Sequence, residues 1–397
     1  MTIDPILSNL NKNQYEAVIN TDGPSLVFAG AGSGKTRVLT HRIAYILDQK
    51  KTTADRILAV TFTNKAASEM RDRLESLLGK QATWVNMGTF HSINARILRS
   101  EADKLGMTSN FTIYDSDDSM AVIREAMKQL NISKDTITPN TIRSFISRNK
   151  QQMIMPGSPE IQNTSEYLAK EKCDVYKRYQ SIIKKSNAYD FDDLLIEPIR
   201  LFQEHPEVLK KYQYRWDYVL VDEYQDTNMV QFLFLELISA RHKNICVVGD
   251  DDQSIYSWRG AEIKNILEFE DNFPNPTVIK LEQNYRSTST ILKAASVLVA
   301  NNSYRHPKKI WTDNEAGEKI ELNYSVNAFR EGDFIAAKIQ EQLYSGKKAS
   351  DFAILYRTNA QSRAIEESLR NRMIKYVIIG GIRFYERKEI KDLLAYL

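Results

Sequence analysis

The sequence predicts an α/β protein: an open, doubly wound parallel sheet, split by a helical insertion and followed by a second, partial α/β unit. Three observations carry this. Short β-branched runs recur at Leu26–Ala29, Ile57–Thr61, Trp84–Gly88, Tyr218–Asp222, Ile245–Gly249 and Thr277–Leu281. Helix-period stretches follow most of them, and strands separated by helices need parallel crossover connections. The alternation stops near Asn110 and resumes near Trp216.

The first strand runs into a glycine-rich turn. Ser25-Leu26-Val27-Phe28 is followed by Ala29-Gly30-Ala31-Gly32-Ser33-Gly34-Lys35-Thr36. Glycines let the backbone curl until several N–H groups face one concavity, and a helix N-terminus adds positive field. That arrangement grips a nucleotide triphosphate, with Lys35 on the β- and γ-phosphates and the Thr36 hydroxyl on Mg²⁺. Ala29 stands where the first glycine of this pattern usually falls. The following helix, Lys35–Leu47, carries an apolar stripe of Val38, Leu39, Ile43, Ile46 and Leu47.

Between about Asn110 and Trp216 the chain reads as mostly helical, polar and rich in Lys, Ser and Gln, with a loop at Met153–Pro159. This is an insertion into the first sheet. The strand beyond it ends in Asp222-Glu223. Asp222 would hold Mg²⁺, usually through water, and Glu223 would polarise the attacking water. Neighbours on a strand point to opposite sides, so the strand must end or bend there for both to serve one site. From about Tyr285 a second α/β unit begins, with strands expected at Ile320–Tyr324, Ala353–Tyr356 and Tyr376–Ile379 and helices near Phe329–Leu343 and Ala360–Arg372. Lys388–Leu397 reads as an amphipathic helix without a cap, and a truncated chain is expected.

Composition narrows the function classes. At 397 residues and 42% hydrophobic content, two or three globular domains are expected. The net charge is only +3, so any nucleic-acid contact must rest on a local groove. Cys173 and Cys246 lie far apart, which fits a reducing, cytoplasmic setting without disulfides. No secretory signal and no bilayer-length apolar stretch is read. His91 beside Ser92 lacks a third triad member, and Asp250-Asp251-Asp252 lacks the glycine and glutamate of a calcium loop.

These residues carry a resemblance. Leu10–Gln14 resembles an adenine-reading Q motif, Thr61–Ala67 and Gly88–Ser92 resemble motifs Ia and Ib, Val248–Ala261 motif III and Gln283–Thr288 motif IV. Tyr189–Leu194, Leu355–Arg363 and Phe384–Asp392 match further segments. In that order and spacing the chain resembles the superfamily 1A DNA helicases of the PcrA/UvrD/Rep type over nearly its whole length.

The resemblance implies two RecA-like lobes. Residues 1–109 and 196–284 would form the ATP-binding domain 1A, 110–195 the helical domain 1B, and 285–397 part of domain 2A. Gln14 would read adenine, whose edge a side-chain amide can match. Arg37 and Tyr285 would sandwich the base. Gln253 would sense the γ-phosphate, and Arg286 would act as an arginine finger, worth roughly a thousandfold or more in related nucleotidases. Single-stranded DNA needs stacking platforms beside a phosphate groove. Phe62, Phe90, Tyr256 and Trp258 fall just past strand ends, with Asn64, His91, Arg259, Arg357 and Asn359 implied near the strand. For Phe90, the residue closing an apolar strand, core and platform remain equal alternatives.

The function implied is ATP- and Mg²⁺-dependent 3′→5′ travel on single-stranded DNA with duplex unwinding, in repair or replication. Its partners would be single strands, duplex junctions and loading proteins. Motifs V and VI and domain 2B are not found, so weak binding and slow hydrolysis are expected of this chain. A helicase subunit of the RecB/AddA helicase–nuclease type and a nucleotide-dependent DNA-binding module remain open alternatives.

Overall fold

A computed structural model describes residues 6–162, 167–257, 260–303, 305–379 and 393. The chain divides into two compact units, Met1–Glu318 and Lys319–Leu397. Eight strands are found among the described residues, all in the first unit: β1 Ser25–Ala29, β2 Ile57–Thr61, β3 Asn86–Thr89, β4 Thr112–Ile113, β5 Ala188–Tyr189, β6 Tyr218–Val221, β7 Ile245–Gly249 and β8 Thr277–Leu281.

Six of them form one all-parallel sheet in the order β3-β2-β6-β7-β1-β8. β1 lies between β7 and β8, with Leu26 opposite both Val247 and Val278. Every residue of β1, β2, β6 and β7 is buried. Apolar runs without alternation suit strands covered on both faces. One face packs Leu26, Phe28, Val219 and Val247 against helices that include Phe90–Ser100 and Met229–Ser239. The other packs Val27, Ala59, Leu220 and Val248 against helices Lys35–Asp48 and Asn64–Leu78. Each fully buried Val or Leu contributes about 1.5–3 kcal/mol relative to exposure.

The expected insertion is a helical lobe. Helices Ser116–Gln129, Pro139–Gln151 and Ala169–Lys185 share a core that includes Ile123, Phe145, Tyr176 and Ile183. Asp115 caps the first of them through a capping box with Asp118. Thr138 caps the second, with Pro139 at its first position. The short β4–β5 pair closes the base of the lobe. There Lys150, fully buried, reaches Asp190 at 2.7 Å and Asp193 at 2.6 Å. Burial alone would lower the lysine's proton affinity, and the two carboxylates overcome that and raise it well above the ordinary range.

Two strand expectations need correction. Trp84 belongs not to β3 but to a 3-10 turn, Gly79–Trp84, and is 70% exposed. The strand starts at Asn86, past the turn that Val85 leaves. In the second unit no strand forms among the described residues at Ile320–Tyr324, Ala353–Tyr356 or Tyr376–Ile379. The apolar pattern is present, but no hydrogen-bonded ladder joins these runs. Helices Ala328–Tyr344 and Asn359–Asn371 instead carry the core, with Ile339, Ile365, Leu369 and Ile374 buried. Ile354 and Tyr356 pack against that core, while Leu355 between them is 93% exposed. The helix expected over Lys388–Leu397 lies, apart from Leu393, outside the described residues. No helix among the described residues is long and apolar enough to cross a membrane.

Candidate functional site

The glycine-rich turn leaves β1 at Ala29, which is fully buried in the strand. This explains how the loop tolerates alanine there: the residue belongs to the sheet. Gly30 N–H donates to Leu281 O at 3.1 Å, and Ser33 Oγ donates to Gly30 O at 2.7 Å. Gly34 caps the Lys35–Asp48 helix at φ 91°, in the left-handed region that favours glycine. No side chain caps this helix, so its first N–H groups remain available to an anion.

The acidic pair lies beyond β6, which ends at Val221. Glu223 then adopts φ 50°, a left-handed turn that brings two neighbouring carboxylates to one side. Lys35 Nζ sits 2.6 Å from Glu223 Oε2. Thr36 Oγ1 donates to Asp222 Oδ2 at 3.2 Å. Burial, then the charge of Glu223, push Asp222 up to about 6 against the pull of Lys35. A hydroxyl and a buried carboxylate side by side form an all-oxygen donor pair suited to a hard divalent cation such as Mg²⁺.

Gln14 is buried. Its Nε2 donates to Ser33 O at 2.9 Å, and its Oε1 accepts from Asn11 N–H at 3.2 Å. It therefore braces the glycine-rich loop. Arg37 lies half-buried on the first helical turn, and Tyr285 is 47% exposed, its hydroxyl accepting from Asn11 Nδ2 at 2.7 Å. Arg286 is exposed, with its Cβ against Gly32. Gln253 points at Asp250, to whose Oδ2 its Nε2 donates.

Asp250, Asp251 and Asp252 converge as a metal site would. The Lys308 ammonium fills that socket, 2.7 Å from Asp250, 3.1 Å from Asp252 and bonded to Asp251. Arg305 adds a 2.8 Å pair to Asp252. The chain thus supplies a cation to this acidic turn from its own sequence.

Beside this site runs a groove of about 930 Å³ between the C-terminal ends of β2 and β3 and the helical lobe. Phe62, His91, Arg143, Arg148, Asp192 and Asp226 contribute to its lining. Phe62 and Tyr256 stack with ring centroids 5.2 Å apart. His91 meets the exposed Phe191 ring edge-on at 5.7 Å. Asn64 opens the Asn64–Leu78 helix and is exposed. Phe90 is a correction: it is 3% exposed and packs edge-on against Phe234, so it supports the groove from the core and offers no stacking face. Trp258 and Arg259 lie outside the described residues. Arg357 is exposed in the second unit, where Asn359 opens a helix.

Sequence reasoning missed three contributors. Arg143 and Arg148 sit on the Pro139–Gln151 helix, where an ordinary amphipathic pattern hides them. Gln225, buried, donates through Nε2 to Glu223 Oε2 at 2.9 Å and to Asp226 Oδ2 at 3.3 Å. Its Oε1 accepts the Asp250 N–H at 2.9 Å. One side chain thus touches the acidic pair, the groove wall and the turn that carries Gln253.

The UvrD/REP helicase N-terminal domain family matches residues 10–274, and the UvrD-like helicase C-terminal domain family matches residues 279–397. This chain belongs to the UvrD/REP helicase family. Among relatives in that family it is 48% identical over 395 residues to the ATP-dependent DNA helicase PcrA of Staphylococcus aureus, covering 100% of this chain and 54% of that protein. It is 51% identical over 393 residues to the ATP-dependent DNA helicase PcrA of Bacillus subtilis, covering 99% of this chain and 53% of that one. The chain spans about half the length of these UvrD/REP relatives.

Proposed function

We propose that this chain is the ATP-binding and single-strand-gripping part of an ATP-dependent DNA helicase that travels 3′→5′ and unwinds duplex. We assign residues 1–109 and 196–284 to domain 1A, 110–195 to 1B and 285–397 to part of 2A. The observation that carries the reading is the Gln225 bridge. It ties Glu223, paired with Lys35, to Asp226 on the wall of the groove.

In this reading Lys35 and the N–H groups of the loop hold the phosphates, Arg37 and Tyr285 contact the base, and Gln14, buried in this structure, exchanges its bond to the Ser33 carbonyl for the adenine edge. Thr36 and Asp222 hold Mg²⁺, which supplies charge neutralisation on the phosphates when bound. Glu223 orients a water and accepts its proton as the water oxygen bonds the γ-phosphorus and the bond to the ADP oxygen breaks. Arg286 stabilises the charge that develops, and Gln253 leaves Asp250 to contact the γ-phosphate. Phe62, Tyr256 and Trp258 stack bases, with Asn64, His91, Arg259, Arg357 and Asn359 along the strand. Directed motion then requires a grip on bases that differs between nucleotide states.

The test is ATP hydrolysis with and without a single-stranded oligonucleotide. The reading expects stimulation by the oligonucleotide. It also expects Gln225→Ala to retain binding of both ligands and lose most of that stimulation. Turnover indifferent to oligonucleotide in the unaltered protein rejects the motor reading.

A further inference from the structure

We infer that Asn284 is a positioning residue that sets the phosphate loop and the Arg286 turn in register, so that the arginine meets the terminal phosphate. The inference rests on the nucleotide-site reading above and adds to it a residue with no role so far.

The geometry is a three-point bracket. Asn284 is 2% exposed and lies three residues past the end of β8. Its Nδ2 donates to Ala31 O at 2.6 Å. Its Oδ1 accepts the N–H of Arg286 at 2.8 Å and of Ser287 at 2.7 Å. Beside it, Tyr285 N–H donates to Gly32 O at 3.0 Å. The Asn284 backbone is itself fixed, its N–H donating to Trp311 O at 2.7 Å and its carbonyl accepting from Thr312 Oγ1 at 2.8 Å.

Two consequences follow from peptide chemistry. A trans peptide sends its C=O and N–H in opposite directions. Holding the Ala31 carbonyl toward Asn284 therefore turns the Gly32 N–H away from it. Second, only a side-chain amide offers a donor at one end and a two-bond acceptor at the other. An aspartate of the same shape would keep both turn bonds and set a carboxylate oxygen against the Ala31 carbonyl. The packing is close enough to transmit position. A Cβ on Gly32 would lie 2.6 Å from Asn284 Nδ2 and 2.7 Å from Arg286 Cβ, and Gly32 has φ +68°.

The experiment is a double-mutant cycle read as preference for ATP over ADP. Affinities for Mg²⁺ with fluorescent ATP and ADP analogues are measured for the unaltered protein, Asn284→Asp, Arg286→Ala and the double variant. Asn284→Asp is expected to cut the preference by about tenfold, the scale of one lost buried hydrogen bond. In the double variant the two losses should not add, because the first already displaces the arginine. A general loss of stability would lower both affinities together and leave the preference unchanged. Additive losses, or an unchanged preference in Asn284→Asp, overturn the inference. If circular dichroism finds Asn284→Asp unfolded, Asn284→Ala carries the same cycle. Lys35→Ala separates the two readings: if it binds the ATP analogue as tightly as the unaltered protein, the nucleotide site itself is rejected.

Discussion

Lys35 Nζ and Glu223 Oε2 stand 2.6 Å apart, so in the proposed nucleotide site an entering phosphate would exchange partners with an existing ion pair. The lysine would move from carboxylate to phosphate, and Glu223 would keep Gln225 as its hydrogen-bond partner. The carboxylate is then held in place and open to a water.

Glu223→Gln is therefore expected to bind nucleotide within about threefold of the unaltered protein and to lose turnover by about 10²–10⁴-fold, the range of a general base. Nucleotide titration and steady-state hydrolysis measure the two separately. Retained turnover removes Glu223 from the water-orienting role.

Phe62 and Phe90 should part company on substitution. Phe62→Ala removes one member of the ring pair with Tyr256 and should weaken single-strand binding by about 1–3 kcal/mol. Its folding stability should change little. Phe90→Ala opens the core beside Phe234 and should cost about 3–5 kcal/mol of stability. Oligonucleotide titration and urea unfolding of both variants check the contrast, and the reverse pattern would reject it.

The base of the helical lobe gives a pH dependence. Burial, then the charge of Asp190, push Asp193 up to about 7, against the nearby Lys150 and with Glu197 adding repulsion. The ordinary value is 3.8, so between these limits the folded chain holds a proton that the unfolded chain has released. The contribution of Asp193 is full below about pH 4 and is lost as pH rises through 7. Stability by denaturant titration should fall across that window, and Asp193→Asn should flatten the slope. An identical slope in the variant would assign the effect elsewhere.

Lys150→Met leaves Asp190 and Asp193 buried without their cation. Breaking one side of a buried ion pair costs about 3–5 kcal/mol. Urea unfolding at neutral pH should report a loss of that size. A change below about 1 kcal/mol would mean that the network contributes little to holding the lobe.

The elements legible in sequence were those with local signatures. Apolar runs gave the parallel strands, because burial on both faces demands continuous hydrophobicity. Adjacent carboxylates at a strand end required a bend, and Glu223 at φ 50° supplies it. In sequence Phe90 stays undecided because a ring just past a strand end can face either way, and Phe234, far along the chain, decides it. Gln225, Asn284 and Lys308 were invisible for the same reason. Their partners Asp250, Ala31 and the Asp250–Asp252 socket meet them only in the folded chain. In the second unit the apolar pattern points to strands that the described residues do not form, because a ladder needs neighbours that no single run specifies.

The strand order has a consequence for biosynthesis. β1 touches only β7 and β8, and β2 meets β6 across the whole inserted lobe. A nascent chain therefore emerges from the ribosome with β1 and the β2–β3 pair lacking β6 and β7, the central strands that join them. Chains halted before Ile245 leave β1 without a lateral partner, a sticky intermediate for chaperones to shield.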